Sequence, residues 1–181
     1  MAKVLVAYGT TEGQTSKIAQ HVGHLARELG HAADVVHLAE PPEGLSLDHY
    51  DAAVVASSVH EGRHQRYVRT WAKEHHDWLA SHPSAFLSVS LSAAGDDEES
   101  REAIKAYIED FAKETGWTPD PAVSVEGALR YTQYNWLKRF LLREISRSHG
   151  GDTDTSHDHE YTRWSVLDER LTPFFRELPS E

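Results

Sequence analysis

One alternation restricts what this chain can fold into more than any other feature. Five short segments, Lys3–Gly9, Ala33–Leu38, Asp51–Ser57, Ala85–Leu91 and Ala122–Gly127, are rich in valine and alanine and mostly apolar along their length. A strand with apolar residues on both sides has to be covered on both faces, which is the situation of a parallel sheet. Between these segments the apolar residues change to a three-to-four spacing: Ile18, Val22, Leu25 and Leu29; Val68, Trp71, Trp78 and Leu79; Ile104, Tyr107, Ile108 and Phe111. Gly30 and Gly116 follow the first and third patterns where a helix C-cap belongs. Strands alternating with helices form right-handed βαβ units, so the expected fold is an α/β, doubly wound, five-stranded parallel sheet with helices on both faces. In such a sheet the ligand lies beyond the carboxyl ends of the strands, where the strand order reverses.

The 181 residues suit one domain with one core, and no linker or repeat divides them. Cysteine is absent, which removes disulfides, thiolate metal sites and cysteine nucleophiles, so any redox chemistry needs a cofactor. The formal charge of −11 argues against nucleic-acid binding. The first apolar run, ending at Gly9, is too short for an export signal or a membrane span, so a cytoplasmic protein is expected.

Three loops follow strand ends and therefore face the expected crevice. The first, Thr10–Thr15, opens a helix, whose free N–H groups and positive dipole end favour an anion. Thr10, Thr11 and Thr15 offer hydroxyls, Gln14 offers an amide, and Gly13 allows close approach of the backbone. Two readings stand side by side: Thr10 or Thr11 merely caps the helix, or the loop holds a phosphate. Neither a nucleotide P-loop nor G-x-G-x-x-G is present. Glu12, a carboxylate, is expected to turn away from an anion. The second loop, Ser57–Tyr67, brings Val59, His60, Arg63 and His64 to the crevice around Gly62, and the third, Ser88–Gly95, brings Ser90, Leu91 and Ser92.

After the fifth strand the chain departs from a simple alternation with an insertion of about residues 128–158. Trp136, Leu137, Phe140, Leu141 and Ile145 fall on one side of a helical pattern, while Lys138, Arg139, Arg143 and Arg147 set four positive charges against Glu144. A basic amphipathic helix in an acidic protein either packs on the core or meets a membrane surface or an anionic amphiphile. His157 and His159 flank Asp158 in an acidic run that is expected to be solvated, without metal. Trp164, Val166, Leu167, Leu171, Phe174 and Phe175 form a last helical stripe for the core.

The order of elements and the first loop resemble the flavodoxins, whose phosphate loop reads Thr/Ser-x-Thr-Gly-x-Thr; Thr10, Gly13 and Thr15 match, and Glu12 replaces a hydroxyl. A more specific resemblance covers nearly the whole chain. "TTEGQT", "PSAFLSVSL", "GALRY", "GGDTDT" and "YTRW", in that order, look like the flavodoxin-like, menaquinone-dependent protoporphyrinogen IX dehydrogenases, insertion included. This resemblance implies bound FMN, reduction by protoporphyrinogen IX or a similar reduced amphiphile in heme biosynthesis, reoxidation by a membrane quinone, and peripheral contact with the inner face of the cell membrane. It implies that Thr10, Thr11, Gly13, Gln14 and Thr15 hold the phosphate and that Val59, His60, Ser90, Leu91 and Ser92 frame the flavin ring. Arg130, Tyr131, Tyr134 and Trp136, with Lys138, Arg139, Arg143 and Arg147, would form the substrate or membrane side. The alternative is a non-catalytic FMN electron carrier, which the acidic surface permits and the basic segment disfavours.

Overall fold

The computed structural model describes residues 1–129, 159–160 and 162–179. The main sheet contains β1 (Lys3–Gly9), β2 (Ala32–His37), β3 (Ala52–His60), β5 (Ser84–Ser90) and β6 (Ala122–Glu126), all parallel, in the order β2-β1-β3-β5-β6. A sixth strand, β4 (Arg63–His64), turns back antiparallel onto the end of β3, pairing Val59 with His64 and His60 with Arg63. The five parallel strands are those expected; β3 runs on to His60 because this hairpin supplies partners for its last residues. The turn is made by Glu61 and Gly62, both left-handed, at φ 49° and 79°. Two-residue turns of this kind match the twist of paired strands.

The central strands β1, β3 and β5 are buried on both faces over most of their length, as their composition requires. On β1, Val4 and Val6 join a core with Ile18 and Val22 of α1 (Gln14–Glu28) and Leu167 and Leu171 of α5 (Trp164–Arg176). Leu5 and Ala7 face the other way, toward α2 (Arg66–Glu74), α3 (His76–Ser81) and α4 (Glu98–Thr115). That second core is aromatic: Phe86 stacks on Phe111 with ring centroids 4.0 Å apart, and Trp117 meets both edge-on. The single helical pattern expected around Trp71 and Trp78 is two helices, broken at His75.

The polar run Asp96–Ser100 leads into α4, with Asp97 as its N-cap. The Asp97 carboxylate accepts hydrogen bonds from the Ser100 backbone N–H at 2.8 Å and the Ser100 hydroxyl at 3.0 Å, and Glu98 and Glu99 occupy the first turn. A short ribbon of β7 (Ala128–Leu129) and β8 (His159–Glu160) joins the two ends of the insertion. The expected basic helix and Arg130, Tyr131, Tyr134, Trp136, Lys138, Arg139, Arg143 and Arg147 lie outside the described residues, as do His157 and Asp158.

Candidate functional site

Strand order reverses between β1 and β3, and the carboxyl ends of β1, β3 and β5 open onto a cavity of about 260 Å³. Its walls come from the loop after β1 (Thr10, Thr11, Glu12, Gln14, Thr15), the β3–β4 hairpin (Ser58 to Gly62) and the end of β5 (Val89 to Ser92). Tyr107 of α4 and Gly127 complete it. Nine of the ten residues singled out in the sequence for a cofactor line this cavity, and Gly13 sits between Glu12 and Gln14 as the α1 N-cap.

Thr10 does not cap α1: its hydroxyl accepts the Gly13 N–H at 2.9 Å, closing the loop on itself. Gly13, at φ 90°, is the N-cap, brings no side-chain hydrogen bond and allows a left-handed turn that a Cβ would strain. No acidic residue lies in the first turn of α1. With a glycine as N-cap and no acid in its first turn, the helix start directs its dipole toward the cavity, a fit for an anion such as a phosphate.

The loop is fastened from outside. Gln65 donates from Nε2 to the Thr11 hydroxyl and, at 3.0 Å, to the Ser58 hydroxyl, which ties the loop to β3. Gln14 also donates its side-chain amide, at 2.9 Å, to the Thr162 hydroxyl, which in turn donates to the Glu126 carbonyl at 2.6 Å. The Gln14 side chain thus serves the join between the loop and the returning chain. Arg163 beside it donates to Glu126 Oε1 from Nε and Nη2, at 2.7 and 2.5 Å.

Several expectations need correcting. Glu12 does not turn outward: it lines the cavity, with its Oε2 buried. Of the donors expected from the second loop, His60 lines the cavity, but Arg63 pairs with Glu114 on the outside at 3.1 Å. His64 lies beneath the hairpin, buried, with Nε2 2.9 Å from the Ser88 hydroxyl and its ring edge-on to Phe86 and Phe111. Burial first, then the nearby Arg69 guanidinium, lowers its pKa to about 4 against the opposing pull of Glu114, so the ring is neutral near pH 7. Tyr107, expected only as part of a core stripe, supplies the aromatic wall that the loops lack. Ser90 lines the cavity, and its hydroxyl is buried with no hydrogen-bond partner among the described residues.

A helix start with a glycine N-cap, small hydroxyl-bearing loops and a mostly apolar slot at a topological switch point define a flavodoxin-type binding protein, and the chain matches the flavodoxin-domain family over residues 5–156. Solved structures agree at the level of fold. An oxidised flavodoxin 1 from Bacillus cereus superposes with a TM-score of 0.55 at 15% identity, over 98% of this chain and 99% of that one. An apo NADH:FMN oxidoreductase gives 0.58 at 12% identity, over 100% and 92%. Sequence relatives are more particular. The chain is 35% identical to the protoporphyrinogen IX dehydrogenase (quinone) of Escherichia coli K12, over 97% of this chain and 94% of that protein. It is 31% identical to the protein of the same name from Leishmania major, over 98% and 76%. The chain belongs to this protoporphyrinogen IX dehydrogenase family of flavodoxin-domain proteins.

Proposed function

We propose that the protein is an FMN-dependent oxidoreductase that oxidises protoporphyrinogen IX to protoporphyrin IX and passes the electrons to a quinone. The observation that carries this reading is the end-to-end similarity to the named dehydrogenases in a chain whose switch-point cavity suits a flavin phosphate at one end and a ring at the other. The phosphate would meet the first-turn N–H groups of α1 and the hydroxyls of Thr10, Thr11 and Thr15, with Gly13 and the Gln14 backbone giving access. Val59, His60, Ser90, Leu91 and Ser92 would frame the ring, joined by Tyr107 and the Glu61–Gly62 turn.

Bound there, the flavin supplies the two-electron chemistry that a cysteine-free chain cannot. The protein's own work is placement. Val59, Val89 and Leu91, which line the slot, would keep water from the ring, and the helix start would meet the phosphate. Glu12 and Glu61 make the described mouth acidic, and no lysine or arginine lines it among the described residues. Substrate carboxylates are therefore better served by Arg130, with Tyr131, Tyr134 and Trp136 shaping that side and Lys138, Arg139, Arg143 and Arg147 meeting propionates or anionic lipid. Among the described residues no helix is long and apolar enough to cross a membrane, and peripheral contact on the cytoplasmic face would bring the site to a membrane quinone.

The test is steady-state formation of fluorescent protoporphyrin by the FMN-loaded protein, with and without quinone. Quinone-dependent turnover is expected. Loading with flavin but no turnover would remove the activity while leaving the binding site.

A further inference from the structure

We infer that Tyr67, braced by His37 and Tyr8, is a positioning residue that sets the phosphate loop in its anion-binding shape; the inference rests on the flavin reading above. Tyr67 lies on α2, 57 residues from the loop, yet its hydroxyl meets both polar groups of one residue there. It accepts the Thr10 N–H at 3.0 Å and donates to the Thr10 carbonyl at 3.3 Å. Thr10 is also the residue whose side chain accepts the Gly13 N–H, so a single phenol fixes the residue on which the loop closes.

The phenol has one proton, and burial raises its pKa, which keeps that proton available as a donor. The other side of the hydroxyl faces His37, with Nε2 at 3.3 Å. With the phenol proton on the Thr10 carbonyl, His37 fills its place by donating from Nε2. The His37 ring stacks on Tyr8, 4.9 Å between centroids and 14° from parallel, and the Tyr8 hydroxyl accepts from Ser16 in the first turn of α1 at 3.2 Å. Tyr8, His37 and Tyr67 thus hold both ends of the loop: Thr10 where it leaves β1 and Ser16 where α1 begins. The fit is close at the strand end as well, since a Cβ on Gly9 would lie 2.3 Å from a Val68 methyl and 3.0 Å from the Tyr67 ring.

A clasp on the phosphate loop affects ligands that carry a phosphate and spares those that do not. FMN and riboflavin are each titrated into apoprotein of the wild type, Tyr67→Phe and His37→Leu, followed by quenching of flavin fluorescence. The wild type should prefer FMN. Tyr67→Phe keeps the ring and leaves Thr10 with two unanswered groups, and it should weaken FMN about tenfold with riboflavin unchanged. His37→Leu should weaken FMN about threefold, again with riboflavin unchanged. Equal losses for both ligands, or no loss in Tyr67→Phe, would overturn the inference, because the ring would then only be packing. Equal wild-type affinity for the two ligands would overturn it as well. A wild type that binds neither flavin would instead overturn the flavin reading, and this inference with it.

Discussion

The starts of α1 and α4 both follow a strand that ends at the cavity, and they are finished in opposite ways. At α4, Asp97 caps the helix twice through Ser100, and Glu98 and Glu99 answer the dipole. At α1 the N-cap is a glycine without a side chain, and the first turn holds no acid. Local stability is taken at one helix start and withheld at the other. The α1 start is instead positioned by distant groups, Tyr67, Gln65 and Thr162, which hold the loop and leave the N-cap a bare glycine. The contrast extends to the walls behind them: α1 packs on a largely aliphatic core, whereas α4 packs on an aromatic one containing the neutral His64.

The largest effect should come from that histidine. With a folded pKa near 4 and an unfolded value near 6.5, the unfolded chain takes up more protons in this window. The stability from keeping His64 neutral is therefore whole above pH 6.5 and lost as pH falls toward 4, to a total on the order of 3 kcal/mol. Urea melts of wild type and His64→Gln across this range should converge as pH falls; parallel curves would remove the buried neutral histidine from the account.

Next in size, Gly13→Asp places a carboxylate at the open α1 start, in a backbone conformation that disfavours it. FMN affinity should fall about a hundredfold. A cap added to α1 that left FMN affinity intact would break the contrast between the two helices. Thr162→Val strands the Gln14 amide and the Glu126 carbonyl, and should cost about 1–3 kcal/mol in chemical denaturation. Asp97→Ala should lower the melting temperature modestly and equally with and without flavin, since its helix start serves no ligand. Glu114→Gln should matter least, under about 1 kcal/mol, because its pairs with Arg63 and Arg69 are partly exposed, and raised salt should shrink the difference.

Much of this architecture was legible in the sequence because buried parallel strands carry their signature locally. Lys3–Gly9 needed no adjustment, and the loops after β1, β3 and β5 meet at one cavity as the topology requires. What stayed hidden was the choice of partner. Nothing near Tyr67 marks its hydroxyl for Thr10, and the three-to-four spacing that placed Tyr107 in a helix cannot say that its face reaches the cavity. Arg63 and His64 alternate along a two-residue strand, so one points to Glu114 and the other into the core, although both resemble crevice donors in a polar loop. Glu12 departs from expectation for a related reason: repulsion from an anion argues for outward rotation, but the geometry of a six-residue loop closed by Thr10 and Gly13 decides where its side chain lies.

The central claim is that this cavity holds a flavin that protoporphyrinogen IX reduces. The most direct test is anaerobic mixing of the FMN-loaded protein with protoporphyrinogen IX while the visible absorbance of the oxidised flavin is followed. The account predicts bleaching at a rate that depends on substrate concentration, with recovery when quinone is added. A flavin that stays oxidised with saturating protoporphyrinogen, although dithionite bleaches it, would contradict the account.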